Sequence, residues 1–387
     1  MGLEMEIDGG VQKLKRPMVD DADDEHKKFK RLAGGAYEKA IYFCGDCVDI
    51  DNNRRIPGWL VTDLCFSYSK KEDSIMQNMP IKLENLRHYS VVAWNSKIYF
   101  VGGEIPRRNF KVVTMENTEN VSTEIFAFNV QNQMWDSDGS HPNMLLPRAF
   151  SISIAADDKI FVFGSFAPSF FCNNFEKYAE YYDINQGKWN YIPQPPEMLC
   201  QSIFTKVRYA VVKNHILFWA YPLGCLYILN IATMEWPTME EFFGYPRPEC
   251  HPHNQYPHPH LGPIWSNAVV VFYDALFWHH GGIIYAYDFK ENTNSVTELG
   301  GYGNNTYFKN FAENNFYPWQ SPTTFLLSPE EGRLCLVWRA FYEWPRKYYC
   351  QNFQVERQDD KLVLHVGTCS SLDPPPDFAN FWNVLVV

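Results

Sequence analysis

The sequence predicts an all-β fold: a six-bladed propeller closed by its C-terminal strand and preceded by a disordered N-terminal tail. Three observations predict it. Short apolar runs recur at a near-constant interval, each run sits inside the same strand–turn–strand context, and period-3.6 helical patterning is missing from the body of the chain.

The repeat is carried by six equivalent runs. They are Ile41-Tyr42-Phe43, Ile98-Tyr99-Phe100, Ile160-Phe161-Val162, Ile216-Leu217-Phe218, Ala275-Leu276-Phe277 and Leu334-Cys335-Leu336. Their first residues are 57, 62, 56, 59 and 59 apart. So narrow a spread marks an array of supersecondary units.

From the second repeat onward an apolar strand and a tight polar turn precede each run. Ser90–Ala93 leads through Asn95-Ser96-Lys97, Ser151–Ile154 through Asp157-Asp158-Lys159, and Ala210–Val212 through Lys213-Asn214-His215. Val269–Phe272 leads through Tyr273-Asp274, and Phe325–Leu327 through Glu330-Glu331-Gly332. These are hairpins by turn chemistry and β-branched or aromatic content. A third strand follows each run: Leu60–Tyr68, Glu124–Asn129, Ala179–Asp183, Leu226–Asn230, Ile283–Asp288 and Tyr348–Phe353. With a weaker outer strand, four strands repeated six times give a propeller over residues 36–387.

Two repeats carry further marks. Gly102-Gly103 ends the second strand of the second repeat, and Phe128 is followed by six residues and Trp135. In the third, Gly164 stands alone, and Tyr182 is followed by six residues and Trp189. Trp236 persists in the fourth repeat and Gly281-Gly282 in the fifth, while the first keeps only Gly45. This pattern resembles the kelch repeat. The resemblance implies a protein-binding propeller, often joined in that family to an F-box or BTB region that recruits substrates for ubiquitin ligation. The segment ahead of the repeats is too short and patternless for an F-box, so a ligase role would come through a partner.

The first repeat begins at its second strand. The chain ends in Asn380–Val387, NFWNVLVV, which reads as a strand. That segment is expected to supply the missing first strand of the first blade and so remove a free sheet edge.

Residues 1–35 hold eight acidic and seven basic residues and read as a disordered tail. Within them Lys15-Arg16 is separated by ten residues from Lys27-Lys28-Phe29-Lys30-Arg31. Two basic clusters on an extended segment suit the acidic grooves of a nuclear import receptor, and a solvated charge run is the plainer alternative. The net charge of −11 argues against nucleic acid as a partner. No run reaches the about 18 apolar residues of a membrane span. MGLEMEIDGG is acidic and lacks a secretory h-region, so the ten cysteines are expected to be free thiols in the nucleus or cytoplasm.

Candidate site residues follow from chemistry. Arg87, Arg148 and Arg208 recur near the start of the innermost strand. The family resemblance places this region at the mouth of the central channel, where arginines grip acidic peptide segments. Arg87 and Arg208 are out of step by one residue, and the bracing of adjacent blades is the structural alternative. Arg107-Arg108 is a second exposed candidate. His251, His253, His258 and His260, interleaved with prolines, offer ligands for zinc or copper, against a long inter-blade loop as the alternative. Cys44-Gly45-Asp46-Cys47 is a lone CxxC, with a strand before it and a loop expected after it. A second CxxC, a GxSxG, a P-loop and an HExxH are all missing.

The sequence therefore predicts a monomeric protein–protein interaction module whose partners carry acidic segments, with no cofactor and no catalytic motif. The competing reading is a propeller-based enzyme, or a binder of a small ligand or metal, using one face.

Overall fold

The computed structural model describes residues 40–49, 54–63, 69–71, 80–105, 120–137, 140–164, 178–196, 207–220, 225–237, 270–273, 275–280, 283–288, 296–301, 324–328, 331–339, 347–359, 361–374 and 378–386. The chain divides into two units, Met1–Glu38 and Lys39–Val387, and every sheet belongs to the second. That unit is a β-propeller. The one helix among the described residues is a single turn, α1 (Ile81–Glu84).

The first blade contains β1 (Ala40–Asp49), β2 (Arg54–Asp63) and β3 (Ser69–Lys71). The second contains β4 (Ser90–Trp94), β5 (Lys97–Val101), β6 (Ile125–Asn129) and β7 (Met134–Trp135). The third contains β8 (Ile152–Ala156), β9 (Lys159–Phe163), β10 (Ala179–Asp183) and β11 (Lys188–Tyr191). A sheet of β12 (Val207–Val212), β13 (His215–Ala220) and β14 (Cys225–Asn230) follows. Next come β15 (Val270–Phe272), β16 (Ala275–His280), β17 (Ile283–Asp288) and β18 (Val296–Gly301). The last blade contains β19 (Thr324–Leu327), β20 (Arg333–Arg339), β21 (Tyr348–Gln358) and β22 (Lys361–Leu372), and the chain closes with β23 (Phe378–Val386).

The six apolar runs are the second strands β1, β5, β9, β13, β16 and β20. They read as continuous apolar stretches because both of their faces are covered by neighbouring sheets. Along β5, Ile98 and Phe100 pack with Tyr42 and Trp59 of the first blade, while Tyr99 and Val101 pack with Ile160 and Val162 of the third. The period-2 alternation of a strand thus sends successive side chains to opposite neighbours. β20 does the same. Leu334, Leu336 and Trp338 join Phe277, whereas Cys335 and Val337 join Ile41 and Leu60 of the first blade. The last sheet therefore packs on the first, and the ring is closed.

The closing strand stands where the sequence placed it, with its start moved two residues earlier. β23 pairs antiparallel with β1, from Ile41 opposite Val386 to Cys47 opposite Phe378. The sheet order is β23-β1-β2-β3.

Three expectations are corrected. Five sheets are four-stranded blades, one fewer than the six expected, and the sheet β12-β13-β14 has three strands among the described residues. The turn after β14 is made, with Asn230 accepting from Met234 and donating to Glu235 through the backbone. Pro237 then follows Trp236 directly. A proline has no N–H to give a ladder, whereas Trp189 is followed by Asn190 and Tyr191, which pair. Second, the CxxC lies within β1, with Cys44 opposite Trp59 and Cys47 opposite Ile56, not at a strand–loop boundary. Third, the third strand of the first repeat is β2, which ends at Asp63 and not at Tyr68.

The glycine after β5 has a steric reason. Gly102 adopts φ +67, and a Cβ there would collide with the backbone carbonyl of Arg148. Gly102→Ala is expected to cost about 2–3 kcal/mol in urea unfolding. Gly187, at φ +62 but with open space around it, is the control, and Gly187→Ala should cost about 1 kcal/mol.

Candidate functional site: a docking face on the second and third blades

Four loop segments meet at one end of these blades: residues 86–88 before β4, 102–105 after β5, 120–124 before β6 and 143–150 before β8. Backbone bonds weave them together. Arg87 and Glu104 exchange N–H···O bonds of 2.8 and 2.7 Å. Ile105 donates to Asn120 at 2.8 Å, Ser122 to Gly103 at 2.8 Å and Met144 to Thr123 at 2.7 Å. Gly103 donates to Arg148 at 2.7 Å and Phe150 to His88 at 2.8 Å, so the third blade's leading segment is fastened to the second blade.

A cleft of about 520 Å³ opens among these segments. Leu86, Val121 and Ile105 supply its apolar lining, and Asn85, Asn120, Asn143, Ser122 and Thr123 its polar lining. Lys82 of α1 and Glu124 pair across it.

Six large apolar side chains stand exposed among the described residues, and three of them, Ile105 (51%), Leu145 (41%) and Phe150 (48%), lie on these four segments. The Phe150 ring stacks on that of His88 at a centroid distance of 3.9 Å and 20°. His88 in turn donates through Nδ1 to Glu104 Oε1 at 2.7 Å. Both His88 (φ 56) and Phe150 (φ 55) hold left-handed backbone. Non-glycine residues in that region cost on the order of 1–3 kcal/mol each.

The predicted arginines do not form one set. Arg87 and Arg148 lie ahead of their inner strands, whereas Arg208 lies inside β12, opposite Trp219. Arg87 is half-buried beside the cleft, and its Nη1 donates to the Leu86 carbonyl at 2.8 Å. Arg148 is fully buried. Its Nε donates to Glu180 Oε1 at 2.6 Å, and its Nη1 to the carbonyls of Gly164 at 2.7 Å and Tyr178 at 2.9 Å. Glu180 is equally buried, and its other oxygen accepts from the Leu145 N–H at 2.7 Å. This geometry is that of the bracing alternative. The pair pins the segment that carries Leu145 and Phe150 to the third blade. The side chain of Arg208, the residues Arg107 and Arg108, the four histidines His251, His253, His258 and His260, and the basic clusters Lys15, Arg16, Lys27, Lys28, Lys30 and Arg31 all lie outside the described residues.

A second polar group lies between the same two blades. Asp136 accepts from Lys97 at 2.8 Å and from His141 Nε2 at 2.9 Å, and His141 Nδ1 is 3.3 Å from the Tyr182 hydroxyl. Burial, and then the Asp136 carboxylate, push the Tyr99 phenol up to about 12 and raise that of Tyr182. Both phenols therefore stay protonated near neutrality and act as hydrogen-bonding groups, not as bases. Trp94 also reaches across, donating to Asp158 at 3.0 Å. These contacts tie blade to blade. No group of three or more His, Cys, Asp or Glu poised to hold a metal occurs among the described residues.

Sequence reasoning missed His88, Glu104, Ile105, Leu145 and Phe150. Their one sequence signal is bulk next to charge in Arg87-His88 and Arg148-Ala149-Phe150, and exposure is what distinguishes them. No protein-family model matches this chain, and no curated protein does.

Proposed function

We propose that this chain is a protein-interaction module of kelch-like type whose docking face is the loop cluster of the second and third blades. The observation that carries this is the exposure of Ile105, Leu145 and Phe150 on loop segments that the backbone ties together, with Ile105 itself lining the cleft. Exposed apolar groups rimmed by polar ones mark contact surfaces for other proteins.

The kelch-like reading draws on local geometry. Gly102 (φ 67), Gly103 (φ 110) and Gly164 (φ 80) take left-handed conformations after β5 and β9. Phe128 pairs with Trp135, and Tyr182 with Trp189, across the outer strands. The indole of Trp189 donates to the Pro142 carbonyl at 2.7 Å, and that of Trp236 repeats the bond to Pro193 at 3.1 Å.

The occupant is an extended protein segment with an apolar anchor beside acidic residues. Arg87 is the chain neighbour of Leu86, which lines the cleft, and in sequence Arg107-Arg108 follows Ile105 two residues later. An arginine fork suits a carboxylate. The basic clusters at Lys15-Arg16 and Lys27-Lys28 support a nuclear as well as a cytoplasmic setting for such a module.

The test is capture by the full chain compared with capture by variants. Ile105→Asp and Leu145→Asp each place a carboxylate where the anchor and the acidic flank would meet. Each is expected to weaken capture of the partner by tenfold or more with an unchanged melting temperature. Met134→Asp, at an exposed outer-strand position, should leave capture intact. Equal loss in all three variants, or in none, contradicts the assignment.

A further inference from the structure

The outer strands are the open edges of a closed propeller, and shortness is their usual protection against pairing with another chain. β3, β7, β11 and β18 follow that rule, with 3, 2, 4 and 6 residues. β22 does not. It has 12 residues, KLVLHVGTCSSL, and is the terminal strand of its sheet among the described residues. It contains no proline and no carboxylate, and its one lysine is its first residue. His365 to Cys369 are exposed throughout, with Val366 at 49%.

This edge is also held in fixed register. A bulge falls between Gln351 and Phe353 on β21. The buried Gln351 amide fastens it, donating to the Gly367 carbonyl at 2.8 Å and to that of Asn352 at 3.1 Å. A Cβ on Gly367 would lie 3.0 Å from the Asn352 carbonyl oxygen, so glycine suits this close approach.

The sequence of the edge is complementary to itself about Gly367. Antiparallel pairing of two copies centred there sets Lys361 against Asp373 of the second copy, at both ends of the interface. It sets Val366 against Thr368 and His365 against Cys369, and no like charges meet. Lys361 and Asp373 are both exposed. A register slipped by one or two residues loses the opposed charges, and opposite-charge and β-branched pairs are the favourable cross-strand pairs.

We infer that β22 joins β22 of a second copy of this chain, giving a symmetric antiparallel edge-to-edge dimer with its two-fold axis at Gly367. The assembly replaces the monomer expected from sequence, and it leaves the docking face of the second and third blades untouched. It rests on β22 alone and stands or falls independently of the docking reading.

Light scattering on the full chain at tens of micromolar should give the mass of a dimer. Val366→Lys, a charge on the exposed face of the edge, should weaken self-association at least tenfold, and its cooperative thermal transition should lose the concentration dependence that a dimer confers. A mixture of Lys361→Asp with Asp373→Lys should pair better than either variant alone, because only the mixed dimer opposes unlike charges. His365→Cys supplies a bond-level readout. Oxidation by copper–phenanthroline should remove two protons and two electrons from a pair of thiols, the one introduced at position 365 and that of Cys369 in the second copy, forming one disulfide. Peptide mapping should find that linkage in a covalent dimer, and His365→Cys with Cys369→Ser should lack it. A monomeric wild type, or a dimer that ignores Val366→Lys and yields no 365–369 linkage, overturns the proposal.

Discussion

Truncation before Phe378 replaces a single cooperative melting transition with a broad one at low temperature. β23 is the innermost strand of the first blade, and it is the strand that hydrogen-bonds the inner edge of β1. Its loss opens that edge from Ile41 to Cys47. It also frees the strand that carries Ile41 and removes the Leu385 side chain. Ile41 packs with Phe325, Tyr348 and Leu372 of the last blade, and Leu385 packs against the cluster of Tyr42, Trp59 and Phe100. A propeller opened at one joint loses the mutual support of its sheets, so the cost is comparable with the whole folding free energy, about 5–15 kcal/mol. Differential scanning calorimetry of the truncated chain checks this. An unchanged transition would show that the ring does not depend on the terminal strand.

Arg148→Ala is the second large effect. Removing the guanidinium leaves Glu180 buried with no cation and strips Gly164 and Tyr178 of a donor to their carbonyls. Breaking a buried ion pair from one side costs about 3–5 kcal/mol. Arg148→Met with Glu180→Gln removes both charges and retains an acceptor for the Leu145 N–H, so it should recover about half of that loss in urea unfolding. The same variants separate a brace from a binding residue. A bracing Arg148 loses stability first. An arginine that merely touches a partner would lose capture with its melting temperature unchanged.

The fold was legible because its signal is repeated. Ile98, Ile160, Ile216 and Leu334 each begin an apolar run that must be covered on both faces, and near-equal spacing makes chance a poor account of them. Closure was legible in NFWNVLVV because the first repeat reads from its second strand and these residues read as a strand without a repeat of their own. The fourth repeat was less so. Whether a weak outer strand pairs depends on backbone N–H groups, and Pro237 removes one where Asn190 keeps one.

The site was legible only in part, for a different reason. Arg148 and Arg87 read alike in sequence, but one is buried against Glu180 in a strand of its own blade and the other is half-buried, donating to the Leu86 carbonyl. That difference depends on a partner far along the chain, and no local spacing encodes it. Ile105, Leu145 and Phe150 are ordinary apolar residues in sequence. They become candidates because two segments from adjacent blades bring them to the surface together.

The central claim is that these loop segments meet a protein partner. Amide hydrogen exchange on the full chain, with and without the captured partner, tests it most directly. The predicted result is protection concentrated in residues 86–88, 102–105, 120–124 and 143–150, with the remaining blades unchanged. Protection confined to other blades, with these four segments exchanging as in the free protein, would contradict it.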